Sequence, residues 1–375
     1  MVKARVAKIT CYVYRNLSPL ITETLRELAI PELSIQSGRA VVLRSRKGLF
    51  GIRSSTDLDE NPVDVFRFYV PLSLERRVVG LLASRADLTL PGRGSVYSEE
   101  VSVIRSSPIP FDKRRFENVA EVKLPAQTGF SGICCIVQRG EGNRLARAIL
   151  DVGFSVPIVT YGQGMGIRDR LGLLRIAIPV DKEVVSFVVD RQDALQAMSL
   201  VIDTARLDHP GRGFIYLFPI RFGIINTRLR RGEAAHVASV EQIVAAIDEL
   251  TGSAGWRRRE LPVRPRGRRR GMLTELANCT VVCRAGRAQG LVRAAMDVGA
   301  GGATLSKLRF GGFAAEVEAA PSHSREMSDL IVPGTLTDTV VEATHAAGIF
   351  DSQVYGFIEV SPVEMASTYV ARERH

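Results

Sequence analysis

The sequence predicts an α+β chain built from three consecutive βαββαβ units, and three observations carry that reading. Apolar residues switch between a two-residue and a near-3.6-residue period in the same order three times. Pro-Gly-Arg-Gly follows the second helical pattern in both of the first two units, at 91–94 and 210–213. The helix ending Asp151-Val152-Gly153 is echoed by Asp297-Val298-Gly299. Repetition at this spacing outweighs any single element, because each copy repeats the same supersecondary unit.

The second unit, 130–230, is the clearest. A strand at Gly132 to Gln138 leads to a helix from about Gly142 to Val152, whose Leu145, Ala146, Ile149 and Leu150 form one apolar face. Gly153 is expected to stop it in the left-handed region. Strand Val156 to Tyr161 enters a glycine-rich bend, and a long excursion returns at strand Glu183 to Val189. A helix from about Gln192 to Ala205, a turn through Pro210-Gly211-Arg212-Gly213 and strand Phe214 to Pro219 complete it. The first unit, 1–115, has strand Lys8 to Tyr14, a helix carrying Ile21, Leu25 and Leu28, and strand Leu33 to Leu43. Strand Val65 to Val70, a helix carrying Leu74, Val78, Leu81 and Leu82, the turn Leu90 to Gly94 and strand Ser95 to Val101 follow. The third unit, 276–370, reads as strand Cys279 to Arg284, a helix with Leu291, Ala295 and Val298, and strand Ala303 to Leu308. A Gly311-Gly312 bend, strand Ser328 to Val332, a helix with Leu336, Val340 and Ala343, and strand Val354 to Val360 close it.

This order is the split βαβ, ferredoxin-like arrangement, an antiparallel sheet with both helices on one face. The other face is left bare, so three copies in one chain are expected to pack sheet against sheet with one another.

Composition narrows the function. Of 375 residues, 46% are apolar and 24% charged, the balance of a globular chain. Lys and Arg total 50 against 40 Asp and Glu, a net +10. Eight Arg and one Glu between Arg257 and Arg270 supply +7 of it, leaving +3 for the other 361 residues. The body is nearly neutral. Aromatic content of 6%, with one Trp, gives no row of stacking platforms for single-stranded nucleic acid. No apolar run is long enough to span a bilayer, and the first residues lack a secretory h-region. The five Cys form no C-x-x-C pair. Cys134 and Cys135, adjacent in an apolar run, read as small buried hydrophobes, so a reducing cytoplasm is expected. The five His show no ligand spacing, and no nucleophile–base–orienter set is legible, so neither a metal site nor an enzyme is expected.

The phrase Ala205-Arg206-Leu207-Asp208-His209-Pro210-Gly211-Arg212-Gly213, followed by Phe214-Ile215-Tyr216-Leu217-Phe218-Pro219-Ile220, resembles the second signature of the PII nitrogen-regulatory signalling family. The unit's first helix, and the strand into Gly162-Gln163-Gly164-Met165-Gly166, look like that family's first helix and T-loop base. The resemblance covers Gly132 to Arg230 well and the other two units through order and pattern. It implies a homotrimer's architecture in one polypeptide: a single-chain, monomeric pseudo-trimer with adenine nucleotide, ATP, ADP or AMP, in the clefts between units. It also implies T-loops that dock on a target protein, such as a membrane transporter.

The turns support anion binding on their own chemistry. Glycines at Gly92 and Gly94, and at Gly211 and Gly213, let backbone N–H groups converge on a phosphate, and Arg93 and Arg212 can add charge-assisted bonds. An ordinary tight turn is the competing reading. The third unit's matching stretch, read as Ile349 to Ser352, has no glycine and carries Asp351, so that cleft is expected to be degenerate. Gly162, Gly164 and Gly166 are misplaced for a dinucleotide fingerprint and read as a flexible T-loop base near a nucleotide. Arg168 and Arg170 are further phosphate candidates, as are Asn226, Arg228 and Arg230, which lie where the family's basic C-terminal loop would reach. The family's Arg-Gln-Lys-Gly at the T-loop base is missing, Ile167-Arg168-Asp169-Arg170 standing there instead. The resemblance therefore gives no support for 2-oxoglutarate or Mg. No tyrosine lies between Gly166 and Val180 to accept a uridylyl group.

An insert, 231–275, has no counterpart in the family. Ser239-Val240-Glu241-Gln242 is a capping box opening a short helix with Val240, Ile243, Val244, Ile247 and Leu250 on one face. The Arg257–Arg270 run, with its Pro and Gly, reads as a linker. It suits peripheral contact with the anionic inner membrane face or with nucleic acid, and a nucleic-acid-binding protein acting through it is the alternative function.

Overall fold

The computed structural model describes residues 1–45, 56–117, 119, 128–166, 180–226, 230–231, 272–313 and 324–369. It is a mixed α+β structure, and its strands pair almost entirely antiparallel. In chain order the first repeat comprises β1 (Val2–Tyr14), α1 (Ser18–Glu27), β2 (Leu33–Ser45), β3 (Thr56–Val70), α2 (Glu75–Arg85) and β4 (Gly94–Arg105). A helical turn, α3 (Arg114–Glu117), precedes β5 (Phe130–Gln138), α4 (Gly142–Val152), β6 (Ile158–Gly166), β7 (Asp181–Asp190), α5 (Ala194–Ala205) and β8 (Gly213–Pro219). Short strands β9 (Phe222–Ile224), β10 (Arg230–Arg231) and β11 (Met272–Leu273) lead to β12 (Leu276–Arg284). Then come α6 (Ala288–Asp297), β13 (Gly302–Phe310), β14 (Ser324–Pro333), α7 (Thr337–Ala346), β15 (Phe357–Val363) and β16 (Met365–Thr368).

The strand order β2-β3-β1-β4 recurs as β6-β7-β5-β8 and as β13-β14-β12-β15. Each helix pair covers one face of its sheet. In the second repeat Leu145, Ile149, Met198 and Val201 pack on Ile133, Cys135, Val185 and Ile215, all at most 1% exposed. At roughly 1.5–3 kcal/mol for each large buried aliphatic side chain, such a face holds its helices without help from propensity. Gly153 ends α4 in the left-handed conformation (φ 81°), its N–H reaching back to the carbonyls of Ile149 and Leu150. Cys134 and Cys135 point to opposite sheet faces, and both are buried.

The bare faces meet one another. Tyr12, Val42, Val63 and Val65 of the first repeat pack on Val156 and Ile158 of the second. Val6, Tyr69, Val101 and Val103 pack on Val282 and Phe357 of the third. Two closed circuits of hydrogen bonds tie the repeats together. In one, β2, β6 and β13 pair mutually, through Arg309↔Ile35, Leu305↔Gln163 and Ala40↔Ile158. In the other, each repeat's outgoing chain joins the last strand of a neighbour. Ile224 pairs with Val96, Ser367 with Ile215, and Ile104 with Ile358. The receiving residue in each case lies two positions after the glycine that enters the strand, Gly94, Gly213 or Gly356.

Several expectations need correction. Gly162, Gly164 and Gly166 do not form a bend but continue β6, pairing with β7 and β13. A Cβ at Gly162 would stand 2.9 Å from Thr304 Cγ2, so close approach of two strands explains that glycine. The last strand of the third repeat begins at Phe357, not Val354, because Tyr355 (φ 48°) and Gly356 form the turn that precedes it. Gly356, not the glycine-free stretch Ile349 to Ser352, thus occupies the strand-entry place: a Cβ there would meet the Val282 carbonyl at 3.0 Å. Leu74 and Leu336 lie in 3-10 turns ahead of α2 and α7, and Thr344, rather than Ala343, is buried on α7. The helix read at 239–250 and the Arg257–Arg270 run lie outside the described residues.

At the centre the three repeats differ. Lys8 Nζ is 2.8 Å from Glu359 Oε1 and 3.2 Å from Glu99 Oε2, and Tyr69 donates its hydroxyl to Glu359 at 2.7 Å. Five residues before the position opposite each strand-entry glycine stand Lys8, Gly132 and Asn278. A Cβ at Gly132 would overlap the ring of Phe218, which fills that place. Burial alone would depress Lys8, but Glu359 and Glu99 outweigh it and hold its ammonium above the ordinary range. Burial raises Glu99 despite the pull of Lys8.

All five thiols are buried. Burial pushes Cys11, Cys279 and Cys283 up to about 12 and Cys134 up to about 11. A thiol-exchange reagent at pH 8 is therefore expected to find no reactive cysteine in the native chain and five after denaturation. Rapid native labelling would contradict this packing.

Candidate functional site

Each strand-entry turn lies at a seam between repeats, and the first two lie at different seams. At the first, Gly92 (φ 83°) donates its N–H to Asn226 Oδ1 at 2.9 Å. The Asn226 N–H is 2.6 Å from Ser95 Oγ, and that hydroxyl donates to Tyr12 Oη at 2.7 Å. Asn226, arriving on the chain after β9, is thereby fixed against the Pro-Gly-Arg-Gly turn of another repeat. Arg93 does not reach out from the turn: its Nε donates to the Ala86 carbonyl at 2.6 Å, satisfying the end of α2. Its Nη2 lies 3.7 Å from Asp87, and the side chain keeps 33% of its surface in solvent.

The second turn has the same backbone form, with Gly211 at φ 69° and Gly213 at φ 145°. Gln138 Nε2 donates to the Gly211 carbonyl at 3.0 Å, and Thr368 of the third repeat donates to the Gly213 carbonyl at 3.0 Å. Arg212 is 38% exposed and lies 3.9 Å from Glu141, whose closer partner is Arg144 at 2.7 Å. A cation held that loosely can swing to an incoming anion at little cost.

The third turn is closed. Arg325 is 2% exposed, and its Nη1 donates to the Tyr355 carbonyl at 3.0 Å. Its guanidinium lies over the Phe310 ring at 4.1 Å and the Tyr355 ring at 4.6 Å. Burial holds this guanidinium below its usual range. Within the first repeat, Glu32 pairs with Arg105 at 2.7 Å.

A carboxylate at one strand position braces all three repeats. Asp64 accepts from the Ser18 hydroxyl at 2.7 Å, and Glu183 accepts from the N–H groups of Gly140 at 3.0 Å and Gly142 at 2.7 Å. Glu326 accepts from the Ala288 N–H at 3.1 Å. Each acid satisfies donors at the start of the first helix, where negative charge is also favoured by the helix dipole. Arg39 links this brace across a seam, 3.0 Å from Glu183 and 3.0 Å from Asn143, with its guanidinium 5.4 Å from the Tyr161 ring centroid.

Of the residues singled out from the sequence, Gly92, Gly94 and Asn226 are brought together, and Gly211, Arg212 and Gly213 form the equivalent turn. Gly162, Gly164 and Gly166 lie in the strand ladder, with Gly166 opposite Gly302. Arg230 sits in β10, whose backbone pairs with β2 at Leu43. Arg168, Arg170 and Arg228 lie outside the described residues. Sequence reading passed over Tyr12, Ser95, Gln138, Thr368 and Arg325. It also missed the acid at Asp64, Glu183 and Glu326, which aligning the three repeats would have exposed.

No family model matches this chain, and neither does any curated protein. Among solved structures, 14 chains match; one is the PII protein of Arabidopsis thaliana crystallised with citrate. It is 20% identical, covers 25% of this chain and 78% of its own, and superposes with a TM-score of 0.21.

Proposed function

We propose that this chain is a PII-like signalling protein, a single-chain pseudo-trimer of ferredoxin-like units that binds adenine nucleotides between repeats. Occupancy would reorder its T-loops, which then grip or release a target protein such as a membrane transporter. One observation carries the reading: the same glycine-framed turn is placed twice at a seam, facing chain from a neighbouring repeat. Such a turn presents N–H groups without intervening side chains, and Arg212 stands beside it loosely held. In the first cleft Asn226 occupies the Gly92 N–H, so a phosphate there would displace the amide or bind beside it.

The test is a calorimetric titration with ATP, ADP and AMP. Arg212→Ala is expected to weaken binding at the second cleft by about ten- to a hundredfold, the loss of one charge-assisted bond worth roughly 1.5–3 kcal/mol. Failure of all three nucleotides to bind wild type would remove the proposal. No helix among the described residues is long and apolar enough to cross a membrane, so a transporter would be met as a partner.

A further inference from the structure

The third cleft differs from the other two at each wall. Along the paired strands, Phe310 of β13 stands where β2 has Ala40 and β6 has Gly164. Arg325 of β14 stands where β3 has Val63 and β7 has Lys182. Tyr355 stands beside the strand-entry glycine, where the other turns carry Arg93 and Arg212. Three small or flexible positions are thus replaced by two rings and a guanidinium, and these pack on one another. Two rings lie close to the guanidinium, Phe310 at 4.1 Å and Tyr355 at 4.6 Å, and Nη1 is spent on the Tyr355 carbonyl. Nη2 has no hydrogen-bond partner among the described residues, and the guanidinium is held by the two rings together with the attraction of Glu32. The result is an arginine only 2% exposed.

The geometry points to a third cleft that is occupied by its own side chains: Arg325, buried against Phe310 and Tyr355, fills the slot that a planar ligand would need. Resting on the nucleotide reading above, this limits the chain to two nucleotides and makes the third repeat a fixed reference against which the other two respond. A homotrimer cannot do this, because one substitution would close all of its clefts; a single chain can close one.

Arginine-directed labelling with phenylglyoxal, resolved by peptide mass spectrometry with and without ATP, tests it. Arg325 should stay unmodified in both conditions, and Phe310→Ala should raise its labelling at least tenfold. Calorimetry on wild type should give no more than two equivalents of ATP. Labelling of Arg325 in the free wild type, a Phe310→Ala variant whose Arg325 stays silent, or a third equivalent of ATP would each overturn the inference. Failure of the nucleotide reading looks different: ATP would then leave the labelling of Arg93 and Arg212 unchanged while Arg325 remained silent.

Discussion

Gly213→Ala should cost about 3–5 kcal/mol of stability, seen as a lowered urea midpoint with an unchanged slope. Two terms add. Gly213 has φ 145°, a conformation that residues with a Cβ rarely adopt, and the added methyl would overlap the carbonyl oxygen of Ile136. The strand cannot retreat, because its other edge is held by Thr368 and Ser367 of the third repeat. Gly140→Ala is the control: φ is 92°, but no atom lies within 4 Å of the new Cβ. Only the backbone penalty applies, about 1 kcal/mol. If both variants cost the same, the close approach under Gly213 is not what the residue is needed for. Gly94 has the same φ and would overlap the Tyr12 carbonyl, so its substitution should match that of Gly213.

Lys8→Met should destabilise the chain at neutral pH by about 3–5 kcal/mol, since it strands the buried carboxylates of Glu99 and Glu359. The pH dependence gives the signature. Glu99 is raised above its ordinary 4.5 in the folded chain, so its contribution is present at low pH and lost as pH rises through the folded value. Removing the cation can only raise it further. The Lys8→Met deficit should therefore shrink as pH falls toward 5 and be largest above neutrality. Lys8 itself is raised above 10.5, so the wild-type pair persists throughout that window and is lost only in strong alkali. The triple variant Lys8→Met, Glu99→Gln, Glu359→Gln should recover most of the deficit, because neutral groups need no buried counter-charge. A pH-independent deficit would mean that lost packing of the lysine stem, not stranded charge, is the cause.

The repeat could be read from local patterns because each is a local statement. Leu145, Ala146, Ile149 and Leu150 mark a helix face within eleven residues, and Gly153 marks its end. The turn at Gly211 to Gly213 was legible for the same reason, since its two glycines are needed by the backbone on the spot. What a turn faces is a long-range fact. Asn226 reads as a phosphate candidate only through the resemblance, and nothing local says that its amide meets Gly92, 134 residues away. Gly162 to Gly166 was misread because glycine serves a bend and a crowded strand equally well, and only the neighbour at Thr304 distinguishes them. The third turn was misplaced by a few residues because Tyr355, not a glycine, takes its left-handed position.

By itself, the sequence determined the βαββαβ order, the apolar faces of the helices, the burial of the adjacent cysteines and the glycine-framed turns. All of these follow from periodicity or from the conformational freedom of single residues. Tertiary structure alone decided which repeat receives which outgoing strand, that the first two turns face different seams, and that Lys8 is neutralised by Glu99 and Glu359. It alone placed Arg325 against two rings. The reason is the same in each case. Each contact joins residues of different elements, and no local pattern encodes where those elements meet.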